Sequence, residues 1–246
     1  MTFRPLIPPD GGRNVTDYPG SHRYLLAMRD PRRPIRLPEK ASTERADLDA
    51  LLDDTRVGHF ALVADDGTPV VIPTMVVRDG DRVLAHGSTG SRWMRRLGAG
   101  APTALGVTAY DGLVVARSAF ESSIRYRSAV LFGRCSPLED DKERFLDLVT
   151  DALLPGRRAE IRRPTRAELA ATLVLALPIE DWSLKVSAGW PEDEEDDVAG
   201  PAWAGVVPVS AVYGPPLRAP DLRAGIDVPP SVRALAGEHS AERTSN

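Results

Sequence analysis

VGHFALVADDGTPVVIPTMVVRDGDRVLAH, residues 57–86, contains three short valine-rich runs that are separated by the turns DDG and DGD. Asp-Gly pairs between apolar runs are typical of β-hairpins, because both residues accept the backbone conformations of tight turns. The segment therefore predicts an antiparallel meander with strands at 57–64, 68–77 and 82–86.

Further strand-like runs follow this meander along the chain. They lie at 102–110, 113–120, 124–135, 172–179, 182–189 and 203–209, and the first two are expected to join in a turn at Asp111-Gly112. Many short, closely spaced strands are typical of a barrel and argue against alternating βαβ units. We therefore predict a mainly β (α+β) fold, a six- to eight-stranded antiparallel β-barrel with peripheral helices.

Three helices are predicted from the signals at their N-termini. Ser, Thr and Asp are favoured N-caps, and a Glu three residues later completes a capping box. The candidates are Ser42 or Thr43 for the first helix, Ser136 with Pro137 and Glu139 for the second, and Thr165 with Glu168 for the third.

Composition and charge exclude several classes of protein. The 246 residues are 42% hydrophobic and carry a net charge of -4, so we expect a globular protein that is not a general binder of nucleic acid or membrane surfaces. No apolar run has the length of a membrane span or a signal peptide, and the single Cys135 allows no intramolecular disulfide. These features predict a cytoplasmic location. We expect an extended arm at 1–42, one domain at 43–210 and a Pro-rich tail at 211–246.

The stretch HGSTGSRWMRRL, residues 86–97, has two interpretations. Its serines, threonine and glycines offer hydroxyl groups and close backbone approach, and Arg92, Arg95 and Arg96 follow at helical spacing. Hydroxyl groups and guanidinium groups together suit a phosphate monoester. The stretch lacks the Walker A and G-x-G-x-x-G patterns, and a plain strand-to-helix corner with a solvated basic face explains it equally well.

Other polar residues have structural alternatives that remain open. Arg127 and Ser128 lie on opposite faces of a predicted strand. Two interpretations are open for the face with Arg127: it lines a pocket, or it meets solvent. Lys185 lies between two tryptophans, and the acidic run at 191–197 is expected to be a solvated loop. His59 is expected to pack within a barrel strand, whereas His86 ends a strand beside the candidate phosphate loop. One cysteine and four scattered histidines predict no metal site.

Several motifs in order resemble one known family. They are the meander and the loop at 86–97, DGLVVARS (111–118), RYRSAVLFG (125–133), KVSAGWPEDEEDD (185–197) and WAGVVP (203–208). This order resembles the pyridoxamine 5'-phosphate oxidase superfamily of FMN-binding split barrels. It is most similar to the branch of flavin-nucleotide-binding proteins that are related to nitroimidazole-resistance reductases, and the match covers residues 43 to 209.

The resemblance implies a homodimer that binds FMN at the subunit interface. Ser91 and Arg92 match the family's phosphate-binding pair, and Trp93 stands where the oxidase has a lysine, so that Arg95 or Arg96 would replace its charge. The residues expected to bind FMN are Pro73, Thr74, His86, Gly87, Ser88, Thr89, Ser91, Arg92, Arg95 and Ser128. The oxidase's C-terminal motif of arginine and histidine is missing, so oxidation of vitamin B6 is not predicted.

We therefore predict an FMN-dependent oxidoreductase that passes electrons from a reduced nicotinamide, NADH or NADPH, to a small-molecule acceptor. His86, Arg127 and Lys185 are the candidate catalytic residues near the flavin ring. Two alternatives remain: a deazaflavin-dependent reductase of the same fold, and a module that binds flavin or haem without catalysis. A fold alone does not decide among these activities.

Overall fold

The computed structural model describes residues 38–138 and 140–237. The chain divides into two units, 1–39 and 40–246, and we describe the second. Most of the expected N-terminal arm at 1–42 lies outside the described residues, as do the last nine residues of the expected tail, 238–246. No helix in the described ranges is long and apolar enough to cross a membrane.

Within these ranges, ten strands form one antiparallel sheet, accompanied by six α-helices. In chain order the elements are β1 (Ala41–Ser42), α1 (Arg45–Asp54), β2 (Val57–Val63), β3 (Pro69–Asp79), β4 (Arg82–Ser88), α2 (Arg92–Gly98), β5 (Pro102–Val115), β6 (Ser123–Arg134), β7 (Ser136–Pro137), α3 (Lys142–Leu153), α4 (Arg166–Ala171), β8 (Thr172–Pro178), β9 (Asp181–Ser187), α5 (Glu195–Val198), β10 (Gly205–Pro208) and α6 (Pro230–Gly237). The strand order is β1-β9-β6-β5-β2-β3-β4-β8-β7, and β10 pairs with β5. The predicted meander is confirmed as β2, β3 and β4.

The sheet curls around one core and gives the predicted barrel with peripheral helices. Leu105 on β5, Leu131 on β6 and Leu177 on β8 are fully buried in the same cluster, although β6 and β8 are not neighbours in the sheet. A Cβ on Gly133 of β6 would lie only 3.1 Å from Leu177 Cδ1, so the two strands meet directly across the barrel. This close approach explains why the position carries glycine.

Two helices close the barrel from different sides. Leu48, Leu51 and Leu52 give α1 one apolar face, and all three are almost completely buried in the barrel core. The helix begins at Arg45 with Glu44 as N-cap, so neither predicted cap is the N-cap, and the Ser42 hydroxyl accepts the Glu44 N–H. On the outside of β3, β4 and β8, Phe145 of α3 forms a second apolar cluster.

The expected turn at Asp111-Gly112 is wrong. β5 runs unbroken from Pro102 to Val115, and its pairing with β6 shifts register between Tyr110 and Gly112. The signal marks a β-bulge, because β10 pairs along this segment on the other side. Gly112 lies opposite Pro208, and a Cβ here would lie 2.7 Å from the Val207 carbonyl oxygen.

One predicted capping box is wrong and the other is confirmed. Ser136 and Pro137 form the short strand β7 against β8, and α3 begins only at Lys142, with Asp141 as its N-cap. Glu139 lies outside the described residues. At α4 the Thr165 side chain and the Glu168 side chain make both reciprocal bonds of the box.

Parts of the acidic run and of the Pro-rich tail are ordered against the barrel domain. The Asp193 side chain has no exposed surface and pairs with Arg117, which differs from the solvated loop that we expected, whereas Glu192 and residues 194–197 are exposed as expected. At the tail, α6 is held at its start because Ser231 donates both its N–H and its hydroxyl to Glu160. These bonds lower the pKa of the Glu160 carboxyl.

Candidate functional site

Hydrogen bonds from its backbone N–H groups hold the loop between β4 and α2 in place. The Thr89 N–H donates to the Ala171 carbonyl at 3.0 Å, and the Gly90 N–H donates to Ser88 Oγ at 3.1 Å. The Ser91 N–H donates to the Ser88 carbonyl at 2.9 Å. The loop is therefore preformed, and it presents Ser88, Thr89 and Gly90 at the surface.

Helix α2 carries two exposed cations beside this loop. Met94 and Leu97 are fully buried in the barrel core, which directs Arg92 and Arg95 outwards. Within the described ranges neither arginine has a carboxylate partner. Ser91 is the N-cap, and its side chain makes no capping bond. A hydroxyl group and two guanidinium groups are thus available to one anion at this corner.

His86 and Gly87 precede the loop but have other surroundings. The His86 ring meets the Phe145 ring of α3 edge-on, with centroids 5.6 Å apart. Its Nδ1 is buried without a partner in the described part of the chain, and burial lowers the pKa of the imidazole. Gly87 faces the core, where a Cβ would lie 3.3 Å from Met94 Cγ, so packing explains this glycine.

Strand register brings three of the predicted residues onto one surface. Ser128 on β6 pairs directly with Lys185 on β9 and with Thr108 on β5. In the next row, His59 on β2 pairs directly with Gly106 on β5 and with Pro73 on β3. Directly paired residues have side chains on the same side of a sheet. We call this outer side of β9, β6, β5, β2 and β3 the open face.

The part of the open face on β2 and β3 is mainly apolar and exposed, whereas Thr108, Ser128 and Lys185 make its other part polar. Val57, Val63 and Val71 are between 50% and 60% exposed, and Ala61 lies between Val71 and Ala104 in the sheet. Isolated exposed valines are ordinary, but a contiguous apolar sheet surface is typical of a binding surface.

His59 lies on the open face, which differs from the packed barrel histidine that we expected. It is exposed, and no described residue forms a hydrogen bond with it. Its direct cross-strand neighbours are Gly106 and Pro73, which leave the imidazole free of bulky side chains. The alternation of the strand shows that His59 points to one face of the sheet, but it does not decide whether that face is the inner or the outer one.

Two other predicted residues face the interior of the barrel or its mouth. Thr74 lies on the same side of β3 as the buried Val76, away from Pro73. Arg127 is engaged by two carboxylates, Asp111 at 2.9 Å and Asp54 at the end of α1 at 2.8 Å. These ion pairs raise the pKa of the guanidinium. Arg127 thus ties α1 to the bulge in β5.

Comparisons with known proteins agree with this architecture. The model of the family described as pyridoxamine 5'-phosphate oxidase matches residues 44–186. The FAD and heme binding protein from Mycobacterium smegmatis is 55% identical and has a TM-score of 0.76; the match covers 80% of this chain and 97% of that one. Flavocytochrome Anf3 from Azotobacter vinelandii is 34% identical, with a TM-score of 0.77 and coverage of 84% and 96%.

A more distant structure shows the same fold. A protein assigned to 5-nitroimidazole antibiotic resistance in Bacteroides thetaiotaomicron is 16% identical, with a TM-score of 0.51, and the match covers 59% of this chain and 86% of that one. A comparison with curated proteins found no match. On the family match and the two close relatives, this chain belongs to the pyridoxamine 5'-phosphate oxidase family.

Proposed function

We propose that this protein binds a flavin at the loop between β4 and α2 and works as a redox protein. The observation that carries the proposal is the preformed loop, where the uncommitted Ser91 hydroxyl lies beside two unpaired arginines, Arg92 and Arg95. These groups fit the phosphate that follows the ribityl chain. The two close relatives are both named for a flavin, which supports the same assignment.

The family resemblance implies FMN, whereas the relative that is 55% identical is named for FAD. Both molecules share the isoalloxazine ring, the ribityl chain and the first phosphate, so the loop suits either one. When bound, a flavin supplies hydride and single-electron transfer, and the protein supplies orientation and electrostatics. Heating the protein to release the bound flavin, followed by chromatography against FMN and FAD standards, identifies which flavin is bound.

We propose a homodimer in which a second copy covers the open face. A contiguous apolar sheet surface that is left in water favours association, and Val57, Val63 and Val71 lie across it. Pro73, Ser128 and Lys185 would then line the interface on the side of the flavin ring. Light scattering of the purified chain tests the dimer, and a monomer at micromolar concentration would contradict it.

Arg92→Ala is expected to weaken flavin binding by about 1.5–3 kcal/mol through a lost charge-assisted contact. The Arg92 side chain is exposed and unpaired in the described structure, so the free energy of unfolding should change little. Flavin fluorescence titration measures the affinity. Arg166→Ala, at an exposed arginine of α4 without a described partner, is the matched control. Equal affinity in both variants would remove Arg92 from the site.

Anaerobic addition of NADH or NADPH separates the possible roles. Bleaching of the flavin absorbance supports an oxidoreductase that uses a reduced nicotinamide. A bound flavin that does not bleach supports a binding module or another electron donor. A colourless protein that takes up neither FMN nor FAD would contradict the flavin proposal and favour the deazaflavin reductase.

A second candidate function is that of a flavocytochrome, which binds haem as well as flavin. The observation that favours it is His59, an exposed imidazole among small apolar residues of the open face. A histidine is a common ligand of haem iron, and in the proposed homodimer the haem would be held at the apolar open face between the two copies. The names of both close relatives contain haem or cytochrome, which supports this candidate.

His59→Ala is expected to abolish the sharp haem absorbance that develops when hemin is added to the purified protein. The reason is that no other described histidine lies exposed on the open face; His86 is held beneath α3 against Phe145. His86→Gln is the control and should retain the haem spectrum. Loss of the spectrum in the control alone would assign the ligand to His86 instead.

A further inference from the structure

A cleft of about 460 Å³ lies between α2 and the hairpin that joins β2 to β3. We call it the α2 cleft. Its lining residues are Leu62, Ala64, Asp65, Asp66, Val70, Arg92, Trp93 and Arg96. The volume falls in the range of about 300–1,000 Å³ that is usual for small-molecule sites.

One wall of the α2 cleft is aromatic and rigid. The Trp93 ring is tilted by 34° against the fully buried Phe60 ring, with centroids 6.0 Å apart. Leu62 and Val70 extend this wall, and both pack against the barrel core. The indole is therefore held by the core, and it offers an ordered surface to a flat ring.

The rim formed by α2 is cationic. A second, more open cleft adjoins the first one, shares Asp65, Arg92 and Arg96 with it, and adds Arg95. Arg96 pairs with Asp65, and its buried Nε has no hydrogen-bond partner in the described structure. Arg92 and Arg95 have no carboxylate partner there. The rim therefore holds two guanidinium groups that form no ion pair in the described structure, and the carboxylates of Asp65 and Asp66 line the same cleft.

We propose that the α2 cleft binds an adenosine diphosphate group, with adenine against Trp93 and the diphosphate at Arg92 and Arg95. Purine rings stack well on aromatic side chains, and guanidinium groups bind phosphate oxygens in pairs. Asp65 and Asp66 offer carboxylate oxygens to the amino group or the ribose hydroxyls. An apolar ligand would leave the arginines unused, and a simple phosphate would leave the tryptophan unused.

Two ligands that the proposed redox function implies contain an adenosine diphosphate group: FAD and a nicotinamide dinucleotide. The inference rests on the proposed function at Arg92 and Arg95, which would also hold the phosphate that follows the ribityl chain, and it goes beyond that function in adding the adenosine at Trp93. FMN titration tests the flavin loop and ADP titration of the flavin-free protein tests the α2 cleft, so FMN binding without ADP binding would overturn this inference alone.

The test is calorimetric titration of the full chain with ADP, adenosine and pyrophosphate, as purified and after removal of bound flavin. We expect ADP to bind at least tenfold more tightly than adenosine or pyrophosphate. Binding only after flavin removal assigns the cleft to the ADP half of FAD. Binding in both states, with competition from NADPH, assigns it to the nicotinamide dinucleotide and would show that the flavin phosphate does not occupy Arg92 and Arg95. No ADP binding in either state would overturn the proposal.

Two variants assign the contacts. Arg95→Ala should weaken ADP and pyrophosphate binding about tenfold and leave adenosine binding unchanged. Trp93→Phe keeps a ring on the core and should weaken ADP and adenosine binding several-fold without affecting pyrophosphate. Arg166→Ala is again the control. ADP affinity that is equal in all four proteins would place the nucleotide elsewhere and contradict the inference.

Discussion

Arg117→Met is expected to lower the free energy of unfolding by about 3–5 kcal/mol, the usual cost of removing one partner of a buried ion pair. The Asp193 side chain has no exposed surface, and its two oxygens accept from the Arg117 backbone N–H at 2.7 Å and from Nη1 at 2.9 Å. Methionine keeps much of the volume but leaves Asp193 Oδ2 buried without its cation. The destabilisation therefore comes from the carboxylate that remains.

Urea denaturation of the single and double variants tests this reason. Adding Asp193→Asn to Arg117→Met removes the buried charge, so the double variant should recover part of the lost stability. The acidic loop is also held by Arg125, whose Nε donates to the Gly189 carbonyl and whose guanidinium lies 5.2 Å from the Trp190 ring centre. If the free energy of unfolding of Arg117→Met falls by less than about 1 kcal/mol, which is the usual contribution of an exposed ion pair, Asp193 is solvated and the prediction is wrong.

Phe60→Ala is also expected to cost about 3–5 kcal/mol, because truncating a buried aromatic residue removes its burial and leaves a cavity. Phe60 is 1% exposed on β2 and supports the Trp93 ring from below. The cavity lies under the aromatic wall of the α2 cleft. ADP binding should therefore weaken as well, since Trp93 loses the contact that orders it.

Thermal or urea unfolding gives the stability of this variant, and calorimetry gives its ADP affinity at a temperature where it is folded. Phe60→Leu is the conservative variant and should lose less stability. Val198→Ala, at a 51% exposed position of α5 outside the open face, is the surface control and should change the unfolding free energy by less than about 0.5 kcal/mol. Equal losses in Phe60→Ala and Val198→Ala would contradict the described core.

Local signals predicted the elements correctly where the neighbouring chain agreed with them. The meander at 57–86 formed because its turns and apolar runs support the same hairpins. The same kind of signal was misleading at Asp111-Gly112, where β10 pairs along β5 and converts a turn sequence into a bulge. At Ser136 the partner is β8, which draws the segment into a strand before α3 begins.

The candidate site divides in the same way. The residue types of the loop at 88–91 and of α2 are enough to make an anion site one of two interpretations, because hydroxyl and guanidinium groups close together in sequence stay close in space. Whether an arginine is available is a different matter. Arg127 is held by Asp54 and Asp111, which come from two other elements, whereas Arg92 and Arg95 meet no described carboxylate.

The sequence by itself determined the meander at 57–86, the alternation of residues between the two faces of each strand and the residue types of the loop, since these depend on residues within a few positions of each other. Only the tertiary structure decided that His59 lies on the open face, that His86 is covered by Phe145 and that Trp93 rests on Phe60. Register and packing partners come from distant parts of the chain. An alternating pattern fits either face until those partners are in place.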